Sequence, residues 1–167
     1  MRAFKKFGGE EILDLGTYAR EYLRVHKDVT LYVGTDSEQY RKHTQFATVV
    51  MFYHRGKGAH YVFAKFAAED GRGGKKKIRD IYSRMFEEMM HSYTTAEYLE
   101  SELAGFILRD GDMKLAIVDV DVNPSPRWKS NTAYSSVTGF LKGERYRFRT
   151  KPEAWSASSA ADLIVRK

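Results

Sequence analysis

The sequence predicts an α/β fold built on a single mixed sheet of five strands. Three apolar, β-branched runs follow one another closely between residues 30 and 67, and a turn containing glycines separates the second from the third. Further along, apolar runs alternate with helical stretches. Strands joined by short turns pair antiparallel, whereas a helix between two strands makes a parallel crossover. The two halves of the chain therefore require a sheet of mixed direction, with helices packed on it.

Each element has its own justification. Ile12, Leu13, Leu15, Tyr18, Tyr22 and Leu23 recur near the helical repeat and predict a helix over 10–26, ahead of the sheet. Strands are predicted over 30–36, 44–54 and 59–67, the last two joined by the hairpin turn Arg55-Gly56-Lys57-Gly58. A glycine-rich basic loop over 71–77 leads into helical sequence over 78–108, with a break expected near Ser92-Tyr93-Thr94-Thr95, where Thr95 is a candidate cap. The β-branched run 114–122 predicts a buried strand. After it come a helix over 131–141, a strand over 145–150 and a short final helix over 156–165.

At 167 residues the chain suits one compact domain, with residues 1–29 a helical extension and 30–167 the main body. The absence of cysteine excludes disulfide staples, zinc ribbons and thiol nucleophiles. The first residues carry cations with no apolar stretch behind them, and the longest apolar run, 46–53, is too short to span a bilayer. These features predict a soluble cytoplasmic protein with no membrane partner. A net charge of +6 favours a polyanionic partner such as nucleic acid.

The chemistry centres on Asp36, which closes the apolar run Leu31-Tyr32-Val33-Gly34-Thr35. A charge withdrawn from water must be paired or must coordinate a metal. Other carboxylates recur where a fold can gather them: Glu88 in the long helical stretch, Asp119 and Asp121 on the fourth strand, and Asp162 near the C-terminus. Acidic groups from four separated elements point to a divalent-cation site for phosphoryl transfer. The plainer readings are a strand-end aspartate capping a turn, a solvated helix face for Glu87 and Glu88, and a solubilising Asp162. Asp119 and Asp121 also fit the Asp-x-Asp of nucleotide-sugar transferases, though the chain is short for that fold. Residues two apart on a strand share a face, so Asp119 is either an alternative ligand to Asp121 or a group behind it. His43, after Arg41-Lys42 in a turn, is a candidate proton carrier or an exposed hairpin residue. Arg72, Lys75, Lys76 and Lys77 in the glycine-rich loop are candidate phosphate contacts at a helix start. Trp128 and Lys129, in the loop after Asp121, are candidates for stacking and charge contact with nucleic acid. In the last strand, Arg145, Arg147, Arg149 and Lys151 alternate with Tyr146, Phe148 and Thr150. That pattern suits a phosphate-tracking stripe or a charged edge strand equally well.

The motifs Gly34-Thr35-Asp36-Ser37, Arg41-Lys42-His43-Thr44 and Gly56-Lys57-Gly58-Ala59, with the tail Lys151-Pro152-Glu153-Ala154-Trp155 and Ala157-Ser158-Ser159, keep their order along the chain. In these residues the sequence resembles the ribonuclease H-like YkuK family, regarded on fold grounds as metal-dependent nucleases. The resemblance implies a βββαβαβα order with the first and fourth strands adjacent, here preceded by an extra helix. It implies a site of Asp36, Glu88, Asp121 and Asp162 converging at one end of the sheet and holding two magnesium or manganese ions. Two such ions about 3.5–4 Å apart can activate a water, stabilise the phosphorus centre and relieve the leaving oxygen of charge. Asp36 would bridge them, with Glu88 and Asp121 on the leaving-group side and Asp162 on the water side. RNA, DNA and a hybrid all remain open as substrate. The competing class is a nucleic-acid-binding module that keeps the fold without the chemistry.

Overall fold

The computed structural model describes residues 3–105, 115–154 and 156–166. The order is β1 (Phe4–Lys6), β2 (Glu11–Ile12), α1 (Leu15–Val25), β3 (Val29–Gln39), β4 (Thr44–His54), β5 (Gly58–Ala67), α2 (Ile81–Glu102), β6 (Ile117–Asp119), α3 (Tyr134–Gly143), β7 (Arg147–Arg149) and α4 (Asp162–Arg166). A 3-10 turn, Lys129–Ala133, leads into α3, and a π-helical turn, Ser156–Ala161, leads into α4.

From β3 onward the elements follow the βββαβαβα order, and β3 lies beside β6 in parallel. The sheet has seven strands rather than five, in the order β2-β1-β5-β4-β3-β6-β7. The two additions are short: Lys5 and Lys6 pair with Phe63 and Val62 on the outer edge of β5, and Phe4 and Lys5 pair with Ile12 and Glu11. Strands of two and three residues are too brief to leave a periodic signal. The first helix begins at Leu15 rather than residue 10, because Asp14 caps it, accepting from the Thr17 N–H at 2.6 Å.

The long helix is continuous through Ser92-Tyr93-Thr94-Thr95, against the expected break. Thr94 and Thr95 turn their hydroxyls back onto the Met90 and His91 carbonyls at 2.7 and 2.9 Å, so neither caps a new helix. Its predicted end at 108 and the predicted strand start at 114 lie outside the described residues. The last strand is shorter than predicted, because Arg145 takes a positive φ of 59° and delays its start.

Side-chain alternation along β3 divides the molecule into layers. Leu31 and Val33 face α1, α2 and α3 within the main core, with Val50, Phe52, Met89, Leu99, Val118 and Leu141. Tyr32 and the other face pack with Ala47, Val49, Met51, Ala161, Ile164 and Val165 in a smaller core beneath α4. Phe4, Ile12, Leu15, Ala19 and Leu23 join the main core, so the N-terminal elements pack as part of it. No helix among the described residues is long and apolar enough to cross a membrane.

Candidate active site

The parallel pairing of β3 with β6 sets Gly34 opposite Asp119. Carried two residues further on each strand, that register brings Asp36 level with Asp121 on the same face. Asp162, the first residue of α4, reaches this face from the layer packed beneath it, and its charge is felt by both aspartates. Glu88 approaches β3 from the other face. Met85, Glu88, Met89, Ser92 and Ala96 form the buried stripe of α2, and Glu88 is only 3% exposed. Ser37 Oγ donates to Glu88 Oε1 at 2.6 Å, while Glu88 Oε2 is buried without a hydrogen-bond partner.

Three aspartates therefore gather on one side of the sheet, with the glutamate across the β3 main chain from them. This is less than convergence of all the carboxylates at one point. Among the described residues, no three histidine, aspartate or glutamate side chains form a ready cage for an ion. The charges nevertheless act on one another. Burial, and then the charge of Asp121, push the Asp36 carboxyl up to about 7. Asp162 adds to this, while the Ser37 N–H (2.8 Å) and Lys151 oppose it. Burial first and Asp36 second hold Glu88 well above the ordinary glutamate value, against the Ser37 hydroxyl and Arg84. Burial raises Asp121 as well, with Lys151 opposing. Carboxylates that are wholly or partly buried, mutually repelling and incompletely paired are the donor chemistry a hard divalent cation takes. The residues present fit such an ion, although they are not closed around one.

The structure distinguishes the competing acids. Glu87 lies on the surface of α2 and accepts from Lys76 Nζ at 3.3 Å, so Glu88 is the inward member of the pair. Asp119 is fully buried, and both its oxygens are gripped at 2.7 Å by the Arg149 guanidinium, which lies over the Tyr32 ring at 4.0 Å. Asp121 instead meets Lys151 Nζ at 2.6 Å. The cations of β7 thus partly serve the acids of β6 rather than forming a free stripe. Asp162 pairs with Arg166 at 2.6 Å within α4.

His43 stacks on Tyr40, with ring centroids 5.1 Å apart, and its Nε2 lies 3.3 Å from Gln45 Oε1, in the turn beyond the sheet. The basic loop is fixed by Asp70, whose Oδ1 accepts from the Arg72 and Gly74 N–H groups at 2.9 and 2.8 Å. The Lys76 main chain bonds with Thr44 and Ala68 past the ends of β4 and β5, leaving Arg72 and Lys75 exposed. Trp128 is 62% exposed, with Arg127 and Lys129 exposed on either side. Asn131 steadies that loop by donating to the Asn123 and Pro124 carbonyls.

Sequence reasoning missed two groups, Arg84 and Lys151, as neighbours of the acids. Arg84 Nη1 reaches the Ser37 carbonyl at a weak 3.5 Å, and its Nε is buried without a partner. Its place one helical turn before Glu88 was the available signal. For Lys151 the signal was the matched spacing of Asp119 with Asp121 and of Arg149 with Lys151. A hollow of about 270 Å³ lined by Phe4, Thr48, Phe66, His91 and Thr95 lies on the helix side, away from the aspartates.

A family model described as Ribonuclease H-like matches residues 14–166. No curated protein and no solved structure matches the chain.

Proposed function

From a chain that belongs to the ribonuclease H-like family, we propose a divalent-metal-dependent nuclease that hydrolyses phosphodiester bonds of RNA, DNA or their hybrid. The observation that carries the reading is the nearness of Asp36 to Asp121, each two residues past the last paired position, Gly34 opposite Asp119, of the parallel strands. The two repel each other, and Glu88 Oε2 stands unpartnered behind them. Asp36, Asp121 and Asp162 would hold magnesium or manganese, and Glu88 would join them past the β3 main chain. Bound there, such ions supply Lewis acidity toward the phosphoryl oxygens and the attacking water.

The chain's own residues do the remaining work. Ser37 holds Glu88 in place and lends its N–H to Asp36. The Arg149–Asp119 clamp fixes β6 against β7, so that Asp121 projects at a set height. The exposed cations Arg72 and Lys75, with Lys76 and Lys77, would attract the phosphate backbone, and Trp128 with Lys129 would receive a base and its phosphate.

The opposite-face approach of Glu88, with no ready cage among the described residues, favours a second reading: a nucleic-acid-binding module without hydrolysis. Incubation of the wild type and Asp121→Asn with labelled RNA, DNA and hybrid oligonucleotides, in magnesium and in manganese, separates the two. The nuclease reading expects cleavage by the wild type alone, with substrate binding kept in the variant. Binding without cleavage under every metal condition would establish the module instead.

A further inference from the structure

Two cross-strand ion pairs stand in series between β6 and β7. In register, Asp119 lies opposite Arg149, and two residues further on Asp121 meets Lys151. The Lys151 N–H donates to the Val122 carbonyl at 3.1 Å, which continues the strand pairing past its regular end and fixes the second pair. The two pairs are built differently. Arg149 grips both oxygens of a fully buried partner and is held against an aromatic ring. Its planar fork suits a permanent grip. Lys151 offers a single point charge on a flexible stem, its side chain is 44% exposed, and it meets one oxygen of an aspartate that faces Asp36. A one-point contact from a half-exposed lysine exchanges more readily than the two-point grip of Arg149 on its buried partner.

The positions of the two pairs match this difference. The fully buried aspartate and its arginine lie behind the candidate site, whereas the half-buried pair lies in it. An ammonium 2.6 Å from one of the proposed ligands occupies space and charge that a divalent ion would require. An ion binding at Asp121 must overcome that pairing, and the released ammonium then stands beside the acids, where a substrate phosphate would lie.

We propose that Lys151 is an exchangeable counter-cation of the carboxylate cluster, held on Asp121 in the metal-free protein and released by divalent ions to contact the phosphate of the substrate. This rests on the nuclease reading above. It makes Lys151 a competitor of the metal and a partner of the nucleic acid, two roles that a structural lysine does not combine.

The test is a calorimetric titration of wild type, Lys151→Met and Lys151→Arg with manganese. Oligonucleotide binding in calcium, which takes the same oxygen ligands, provides the second readout. Methionine keeps much of the length of the stem and removes the charge. The expected result for Lys151→Met is manganese binding tightened by about tenfold, as a like charge close to the ion is removed. Its oligonucleotide affinity in calcium should fall by roughly tenfold, in the range of one charge-assisted hydrogen bond. Lys151→Arg should bind manganese more weakly than wild type, because its fork holds Asp121 more firmly. Manganese binding that is unchanged or weaker in Lys151→Met, with a folded protein by circular dichroism, overturns the inference and leaves the nuclease reading standing. A wild type that binds no manganese removes that reading, and the inference with it.

Discussion

Asp36, half-buried, and Asp119, fully buried, show how differently two aspartates of one sheet face can be treated. Arg149 pairs Asp119 through both oxygens, whereas Asp36 has one N–H, from its own neighbour, and faces like charge. The sequence pointed to Asp36 through its place at the end of an apolar run, but left Asp119 and Asp121 interchangeable. The choice between them depended on where Arg149 falls, which is a matter of register between strands distant in sequence. A pH dependence follows from Asp36. Unfolded, it ionises near the ordinary aspartate value of 3.8, and folded, near about 7. Between these values the folded protein holds a proton that the unfolded chain has released. The metal-free protein should therefore draw its full benefit from this group below about pH 4 and should lose stability as the pH rises through 7. At about 1.4 kcal/mol per unit, the loss is bounded near 4 kcal/mol, and water reaching the partly exposed carboxyl makes it smaller. Urea titrations across this range should show the decline in wild type and a flatter curve in Asp36→Asn, with added manganese restoring stability at pH 8. An equal decline in both proteins would assign the effect to other groups.

At the scale of elements, legibility followed length and periodicity. The second predicted strand, 44–54, coincides with β4, and the helices are all foreshadowed in the sequence, because eleven residues of one pattern outweigh local noise. β1 and β2 were not visible, since β1 is ordered by the edge of β5 and β2 by β1 rather than by a pattern of their own. The supposed break in α2 arose from reading Thr95 as a cap, when its hydroxyl had the His91 carbonyl of the same helix within reach. The real cap is Asp80, which accepts from both the N–H and the hydroxyl of Ser83 at 2.7 and 2.8 Å. Asp80→Ala should cost about 1 kcal/mol of stability by freeing the first turn. Glu88 lies two turns further in, so manganese affinity should hold within about twofold. Thermal denaturation and calorimetry on the same sample check both halves, and a large loss of metal affinity would mean that the helix start controls the site.

For the whole molecule, a net charge of +6 accompanies a candidate site that is itself acidic. On the proposed function, that balance would attract a polyanion through the basic residues and leave the carboxylates for the ions. Replacing Arg72, Lys75, Lys76 and Lys77 with alanine should flatten the salt dependence of nucleic-acid binding. The log–log slope should drop by about 0.9 for each duplex phosphate no longer neutralised, or by about 0.7 for single strands. Manganese affinity should stay as it was, and an unchanged slope would remove the loop from the binding surface. The topology also has a consequence in time. β3 meets β4 across a tight turn, but it meets β6 only after about half the chain has intervened. The hairpin can close early, while the parallel pair must wait for a long loop to close. The prediction is that Asp36 and Asp121 meet on the native side of the folding barrier, so that their repulsion is absent while it is climbed. Stopped-flow experiments on the metal-free protein should find a refolding rate nearly indifferent to pH between about 4 and 8, with the unfolding rate rising as the acids ionise. On the proposed function, the metal-free protein would assemble at an ordinary pace and come apart faster in alkali, and a bound metal would lengthen the life of the native state.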